Sequence, residues 1–109
     1  MKILQKICFV LLLTTFSSVY GGSCFDGDIN TCLRESEQGD SSAQYNLGVM
    51  YYNGQGVLQD YVMAHMCFNI AAVSGHKSAI NNRGDVEEIM TSSQLEEAKK
   101  LARKWMRAH

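Results

Sequence analysis

The residues of this chain best suited to chemistry are its cysteines, of which there are four, at positions 8, 24, 32 and 67. Cys24 and Cys32 flank the flexible stretch 25–28, and a disulfide between them would tie the start of the domain to its first helix. We therefore predict that they pair in an oxidising compartment. Cys8 lies in the N-terminal leader described below, so three cysteines remain after its cleavage and Cys67 is unpaired. Its place on an apolar helical face indicates a buried thiol.

Metal chemistry has weak support in the sequence. His65 and Cys67 stand two residues apart in the middle of a predicted helix with no convergent partners, and neither C-x-x-C nor H-E-x-x-H occurs. The sequence predicts Cys67 in the core, His65 at the surface, and no cofactor.

We predict that these residues lie on α-helices, because the chain has no proline and its apolar residues recur at spacings of three and four. Asp40 and Asp60 are placed to cap helices, Gly75 to end one, and Thr91 with Gln94 to form a capping box. The predicted helices run from about Ile29 to Gln38, Ser41 to Asn53, Tyr61 to Ser74, Lys77 to Met90 and Ser92 to Ala108.

The chain also matches itself at an offset of 36 residues, where 39–48 aligns with 75–84. A period in the thirties is typical of helical-hairpin arrays, in which neighbouring hairpins stack to complete a core. Arrays of this kind usually bind other proteins. The five identical pairs are Gly39/Gly75, Ser42/Ser78, Ala43/Ala79, Asn46/Asn82 and Gly48/Gly84.

The N-terminus is predicted to be a secretory signal peptide over residues 1–21, with cleavage as late as residue 23. Lys2 and Lys6 precede an apolar run over 7–16 that is shorter than the roughly 20 residues of a membrane span. We therefore expect a periplasmic or secreted protein with no transmembrane anchor after cleavage. A lipoprotein acylated at Cys24 is the alternative, although Gly21-Gly22-Ser23 lacks the aliphatic residue usual in such signals.

Charge argues against nucleic acid as a partner. Loss of the leader removes two lysines and takes the formal net charge from −1 to −3, whereas nucleic-acid binding proteins carry a net basic surface. About 87 residues then remain, enough for one small domain.

A set of residues recurs at fixed spacing through the middle of the chain: Ala43, Leu47, Gly48, Tyr51, Gly54, Gly56, Val57, Asp60, Ala64, Ala71, Ala72 and Gly75. This pattern resembles the Sel-like repeat (SLR) family, a relative of the tetratricopeptide repeats. The resemblance implies an all-α, right-handed α-α superhelix of about five helices in a domain over 24–109. It also implies a full repeat over 40–75, preceded by a partial repeat and followed over 76–108 by a partial repeat and a closing helix. Leu58 and Cys67 depart from the proline and tryptophan frequent in the family, and Cys67 should loosen the core locally.

The resemblance implies a non-enzymatic adaptor or scaffold of the bacterial cell envelope or secreted fraction, a monomer or weak homo-oligomer that binds a protein or peptide. In related repeats the first helix of each hairpin lines a concave surface. An alternative is that Tyr45 and Tyr52 only shield the hairpin. The implied binding residues are Ser42, Tyr45, Val49, Tyr52 and Asn53.

Two further functions are alternatives. Some cysteine-rich SLR proteins have been described as β-lactamase-like, which suggests β-lactams or peptidoglycan fragments as ligands. The chain has no G-x-S-x-G motif and no evident carboxylate pair, so we expect no enzymatic activity. The other alternative is a structural partner of a larger repeat protein, docked through the acidic residues Asp26, Asp28, Glu35 and Glu37.

Overall fold

The computed structural model describes Cys24 and residues 26–109, and within them it contains five α-helices and no strand. The predicted signal peptide lies outside the described residues. The all-α prediction is confirmed. The helices are α1 (Ile29–Glu37), α2 (Ser41–Asn53), α3 (Tyr61–Val73), α4 (Lys77–Ile89) and α5 (Ser92–Ala108).

Side-chain caps explain why the helices begin where the sequence predicts. The Asp40 carboxylate accepts hydrogen bonds from the backbone N–H groups of Ser42 and Ala43, and Asp60 accepts one from Met63. Thr91 and Gln94 form the predicted capping box at the start of α5. Each cap satisfies backbone donors that have no partner within the first turn of a helix.

Three helices end one residue before the predicted end, because Gln38, Ser74 and Met90 are C-cap residues outside the helix. The turns that follow α1 and α3 use equivalent glycines of the repeat. Gly39 has φ of 89° and Gly75 has φ of 86°, a left-handed conformation that other residues rarely adopt. The 36-residue repeat thus marks two turns with the same geometry.

The central helix of the array is α3, which contacts α2, α4 and α5, while α1 packs on α2. Two groups of buried side chains hold these helices together. One joins α1, α2 and α3 through Cys32, Leu47 and Cys67. The other joins α3 to α4 through Phe68 and Val86, with small alanines that let the helices approach closely.

His65 is not at the surface, so the prediction for this residue is wrong. It is fully buried on α3, and its Nε2 lies 2.9 Å from Oε1 of Glu87 on α4. Helix α4 packs over this side of α3 and covers the imidazole. The Nδ1 atom of His65 has no hydrogen-bond partner. The partner is 22 residues away along the chain, so helical spacing alone gave no sign of it.

Candidate protein-binding groove

A groove of about 280 Å³ lies between α2 and α4, with α3 as its floor. These are the first helices of two successive hairpins, so the groove is on the side that the SLR resemblance assigns to the concave surface. Helix α2 supplies four of its residues, α4 three and α3 one. The lining residues are Tyr45, Val49, Tyr52, Asn53, Phe68, Asn82, Asp85 and Val86.

Tyr45 forms a fixed wall of the groove. Its ring lies 5.8 Å from the Phe68 ring and stacks on His76 at 4.7 Å between centroids. Its hydroxyl accepts a hydrogen bond of 3.3 Å from the Asn82 side-chain amide. Because Asn82 belongs to α4 and Phe68 to α3, Tyr45 connects the three helices that enclose the groove.

Tyr52 lies at the rim and is more accessible, with 37% of its surface exposed. One side of its ring meets Tyr61 at 5.6 Å between centroids. The Gln59 amide donates to both the Tyr52 carbonyl and the Tyr61 hydroxyl, which fixes the backbone beneath the ring. An exposed aromatic on an ordered backbone is a favoured anchor in protein interfaces.

The α4 side of the groove was missed in the sequence. Asn82, Asp85 and Val86 all line it, and Asp85 is the charged member of the lining. The 36-residue offset gives a signal for Asp85, since it places Asp85 at the position of Val49 in the preceding repeat. It gives none for Asn82 and Val86, which align with residues that do not line the groove. Both walls carry an amide and an apolar residue, but the aromatic rings lie on the α2 wall and the carboxylate lies on the α4 wall.

Four of the five implied binding residues come together in the groove, and Ser42 does not. Ser42 is exposed in the first turn of α2, one turn before Tyr45, where its N–H bonds to the Asp40 cap. That position lies beyond the end of the groove.

The cysteines take the predicted roles. Cys24 and Cys32 form a disulfide, and both are buried against α2. Cys67 is a free, buried thiol, and burial, with a smaller effect from Asp60, raises its pKa to about 12. A thiol with so high a pKa is a poor nucleophile and metal ligand at neutral pH.

Two further observations concern metals and membranes. Over Cys24 and residues 26–109, no three His, Cys, Asp or Glu side chains are grouped so that they could hold a metal ion. No helix in this part of the chain has the length and apolar character required to cross a membrane.

The structure belongs to the class of proteins that are built from stacked helical hairpins. Comparison with protein families matches residues 41–76 to the Sel1 repeat. A solved structure is also similar, that of a protective antigen present in uropathogenic Escherichia coli strains and displaying an SLR fold. It shares 35% sequence identity and a TM-score of 0.69 over 71% of this chain. The chain is therefore a Sel1-repeat (SLR) protein.

The match covers 17% of the antigen's chain, so this chain corresponds to a small part of that protein. Comparison with curated proteins finds no match.

Proposed function

We propose that the protein is a non-enzymatic interaction module that binds a segment of a partner protein in the groove between α2 and α4. The observation that carries the proposal is the composition of the groove. Tyr52 is an exposed aromatic at the rim, and the lining below it includes the apolar residues Val49, Phe68 and Val86. Solenoid repeats use such concave surfaces for binding, and aromatic anchors contribute disproportionately to protein interfaces.

The lining also indicates the chemistry of the partner. The apolar floor suits one large apolar side chain, and the amides of Asn53 and Asn82 offer hydrogen bonds to an extended backbone. Asp85 favours a lysine or arginine next to that apolar residue. One groove of this size buries less surface than a standard interface of roughly 1,600 Å², so we expect modest affinity for an isolated peptide.

We place this binding outside the cytoplasm. Disulfides persist in oxidising compartments, and the Cys24–Cys32 bridge supports such a location. A Cys24 sulfur in a disulfide is not available for acylation, which favours a periplasmic or secreted protein over a lipoprotein.

Site-specific photo-crosslinking in intact cells tests the proposal. A benzoylphenylalanine in place of Tyr52 reports on the groove, and one in place of Leu58, which is 91% exposed on the α2–α3 loop, is the matched control. We expect a discrete adduct from position 52 that is lost in the Asp85→Lys background and kept in the Glu88→Lys background. Glu88 is an exposed acid on the same helix that does not line the groove. Equal adducts from positions 52 and 58 would contradict the proposal.

The enzymatic alternative has its own test. Ser74 and Lys77 have the S-x-x-K spacing of β-lactamases, but they stand on either side of the turn between α3 and α4 and both are exposed. We therefore propose no catalysis at this pair. Nitrocefin hydrolysis by the purified protein should equal that of the Ser74→Ala variant, and a higher rate in the wild type would establish an activity.

A further inference from the structure

The solvent side of α5 carries five cations within nine residues. They lie over 99–107, a stretch that contains no Asp or Glu, and all five side chains are exposed. Successive residues of an α-helix are about 100° apart around its axis, so the five fall within an arc of about 140° and span about 12 Å of the helix. We call this surface the basic face, and it consists of Lys99, Lys100, Arg103, Lys104 and Arg107.

The basic face is not neutralised within the molecule. Among the described residues the ion pairs are those of His65 with Glu87 and of His109 with Glu37, and neither involves the basic face. Cations three or four residues apart on a helix repel one another, and the basic face contains five such pairs. The helix dipole favours cations only in the last turn, whereas Lys99 and Lys100 lie in the middle of α5. The repulsion therefore indicates an anionic partner outside the chain.

The rest of the described chain has the opposite charge. Outside 99–107 it holds eleven Asp and Glu residues and three Lys and Arg residues, a net charge of −8. Ordinary protein surfaces mix the two signs, as α4 does with Lys77, Asp85 and Glu88, all of which are exposed. Charge that is segregated to this degree orients the molecule in an electric field, with α5 toward an anionic surface.

The basic face lacks the apolar anchor that a protein partner requires. None of the large apolar side chains exposed in the described chain lies on α5, and protein interfaces are built around aromatic or apolar anchors. The apolar side of α5 packs on α3, with Ala98 and Ala102 fully buried. An anionic phospholipid bilayer requires no anchor and no complementary shape, because its headgroups form a continuous layer of negative charge. The charge and the burial of α5 therefore favour a bilayer surface over a protein.

We propose that the basic face is a peripheral docking surface for a bilayer of anionic phospholipids. The ammonium and guanidinium groups contact the lipid phosphates, and α5 lies flat on the surface without inserting into it. No residue of α5 lines the groove between α2 and α4, so the two surfaces are separate. The inference does not depend on the proposed function.

The test is co-sedimentation with lipid vesicles, using the protein in the form that cells process. Vesicles of phosphatidylcholine with about 40% phosphatidylglycerol should bind the protein, and vesicles of phosphatidylcholine alone should not. Salt screens charges at an exposed surface, so an increase from about 50 to about 300 mM NaCl should weaken binding at least about tenfold.

Removal of charge locates the docking surface. The double variant Lys99→Gln, Arg103→Gln removes two cations of the basic face, and each contributes about fivefold in affinity, so binding should weaken about 25-fold. The matched control, Arg34→Gln with Lys77→Gln, removes two exposed cations elsewhere and should change the affinity less than about threefold. Glutamine is about as good a helix former as lysine and arginine, so both double variants should keep the wild-type melting temperature.

Three results would each overturn the proposal. The first is equal binding to the two kinds of vesicle. The second is an equal loss of affinity in the two double variants, which would show that net charge and not the basic face determines binding. The third is binding to soluble polyglutamate without binding to the anionic vesicles, which would assign the basic face to an acidic protein.

Discussion

The Phe68 ring of α3 packs directly on the backbone of Gly48 in α2. A Cβ atom at position 48 would lie 2.6 Å from Phe68 Cε1, closer than side-chain carbon atoms approach one another. Phe68 is 1% exposed and forms the floor of the groove. The absence of a side chain at position 48 therefore lets the backbone of α2 approach the Phe68 ring of α3 closely.

The Gly48→Ala variant should lose stability although alanine is the better helix former. The methyl group forces the Phe68 ring to move, and overpacking costs about 1–3 kcal/mol against a helix-propensity gain of about 1 kcal/mol. We expect a net loss of about 1 kcal/mol in the free energy of unfolding, measured with urea. The repeat-equivalent Gly84 is the matched control, since nothing lies within 4 Å of its Cβ position. Gly84→Ala should gain about 0.5–1 kcal/mol, and a gain in both variants would contradict the packing described.

Cys67 should resist alkylation in the folded protein. Its pKa of about 12 leaves about one thiol in 10,000 ionised at pH 8, and the thiolate is the nucleophile. Mass spectrometry after iodoacetamide treatment should find Cys67 unmodified in buffer and modified in urea. The ordinary pKa of a cysteine thiol is 9.0, so at pH values between 9.0 and about 12 the unfolded chain releases the proton that the folded chain keeps. The contribution of this thiol to the free energy of unfolding therefore falls as the pH rises through that range. Rapid labelling of the native protein at pH 8 would show an exposed thiol.

Removal of the Glu87 carboxylate should destabilise the protein. In Glu87→Ala the buried His65 loses its hydrogen bond to α4, and a buried polar group left without a partner costs about 1–3 kcal/mol. Its neighbour Glu88 is exposed, so Glu88→Ala should shift the melting temperature by little. Thermal unfolding of the two variants makes the comparison, and equal melting temperatures would show that the His65–Glu87 contact contributes nothing.

Reduction of the Cys24–Cys32 bridge should loosen α1 and leave the central hairpin folded. The loop closed by the bridge is short, and the chain-entropy model gives such a loop about 2–3 kcal/mol of stabilisation. Hydrogen exchange with and without reductant measures the effect helix by helix. We expect faster exchange over Ile29–Glu37 and unchanged protection over Tyr61–Val73. Loss of protection in both helices together would mean that the bridge supports the whole array.

The helices could be predicted from the sequence because their signals are local. Asp40, Asp60 and the Thr91–Gln94 capping box act within three residues of the helix that each begins. The burial of His65 could not be predicted, since it depends on α4 packing over α3. Helical spacing does not reveal a partner 22 residues away.

Only the α2 side of the groove could be predicted from the sequence, again because the other side depends on tertiary packing. The SLR resemblance identifies the α2 wall, but the α4 wall depends on how two hairpins stack. The sequence also cannot distinguish the roles of Tyr45 and Tyr52, because both occupy the face that the resemblance assigns to binding. Tyr45 contacts both α3 and α4, whereas Tyr52 meets α3 alone, at Tyr61, and stays at the exposed rim, a difference that only the tertiary contacts reveal.

The most direct test of groove binding is to map the bound segment by NMR, with the sequence captured by crosslinking at position 52 supplied as a synthetic peptide. We expect amide shift changes to cluster at Asn53, Asn82 and Asp85, with at least about a fivefold weaker Kd for Tyr52→Ala and an unchanged melting temperature. Shift changes confined to the basic face of α5, at Lys99, Lys100 and Arg103, would contradict a binding site between α2 and α4.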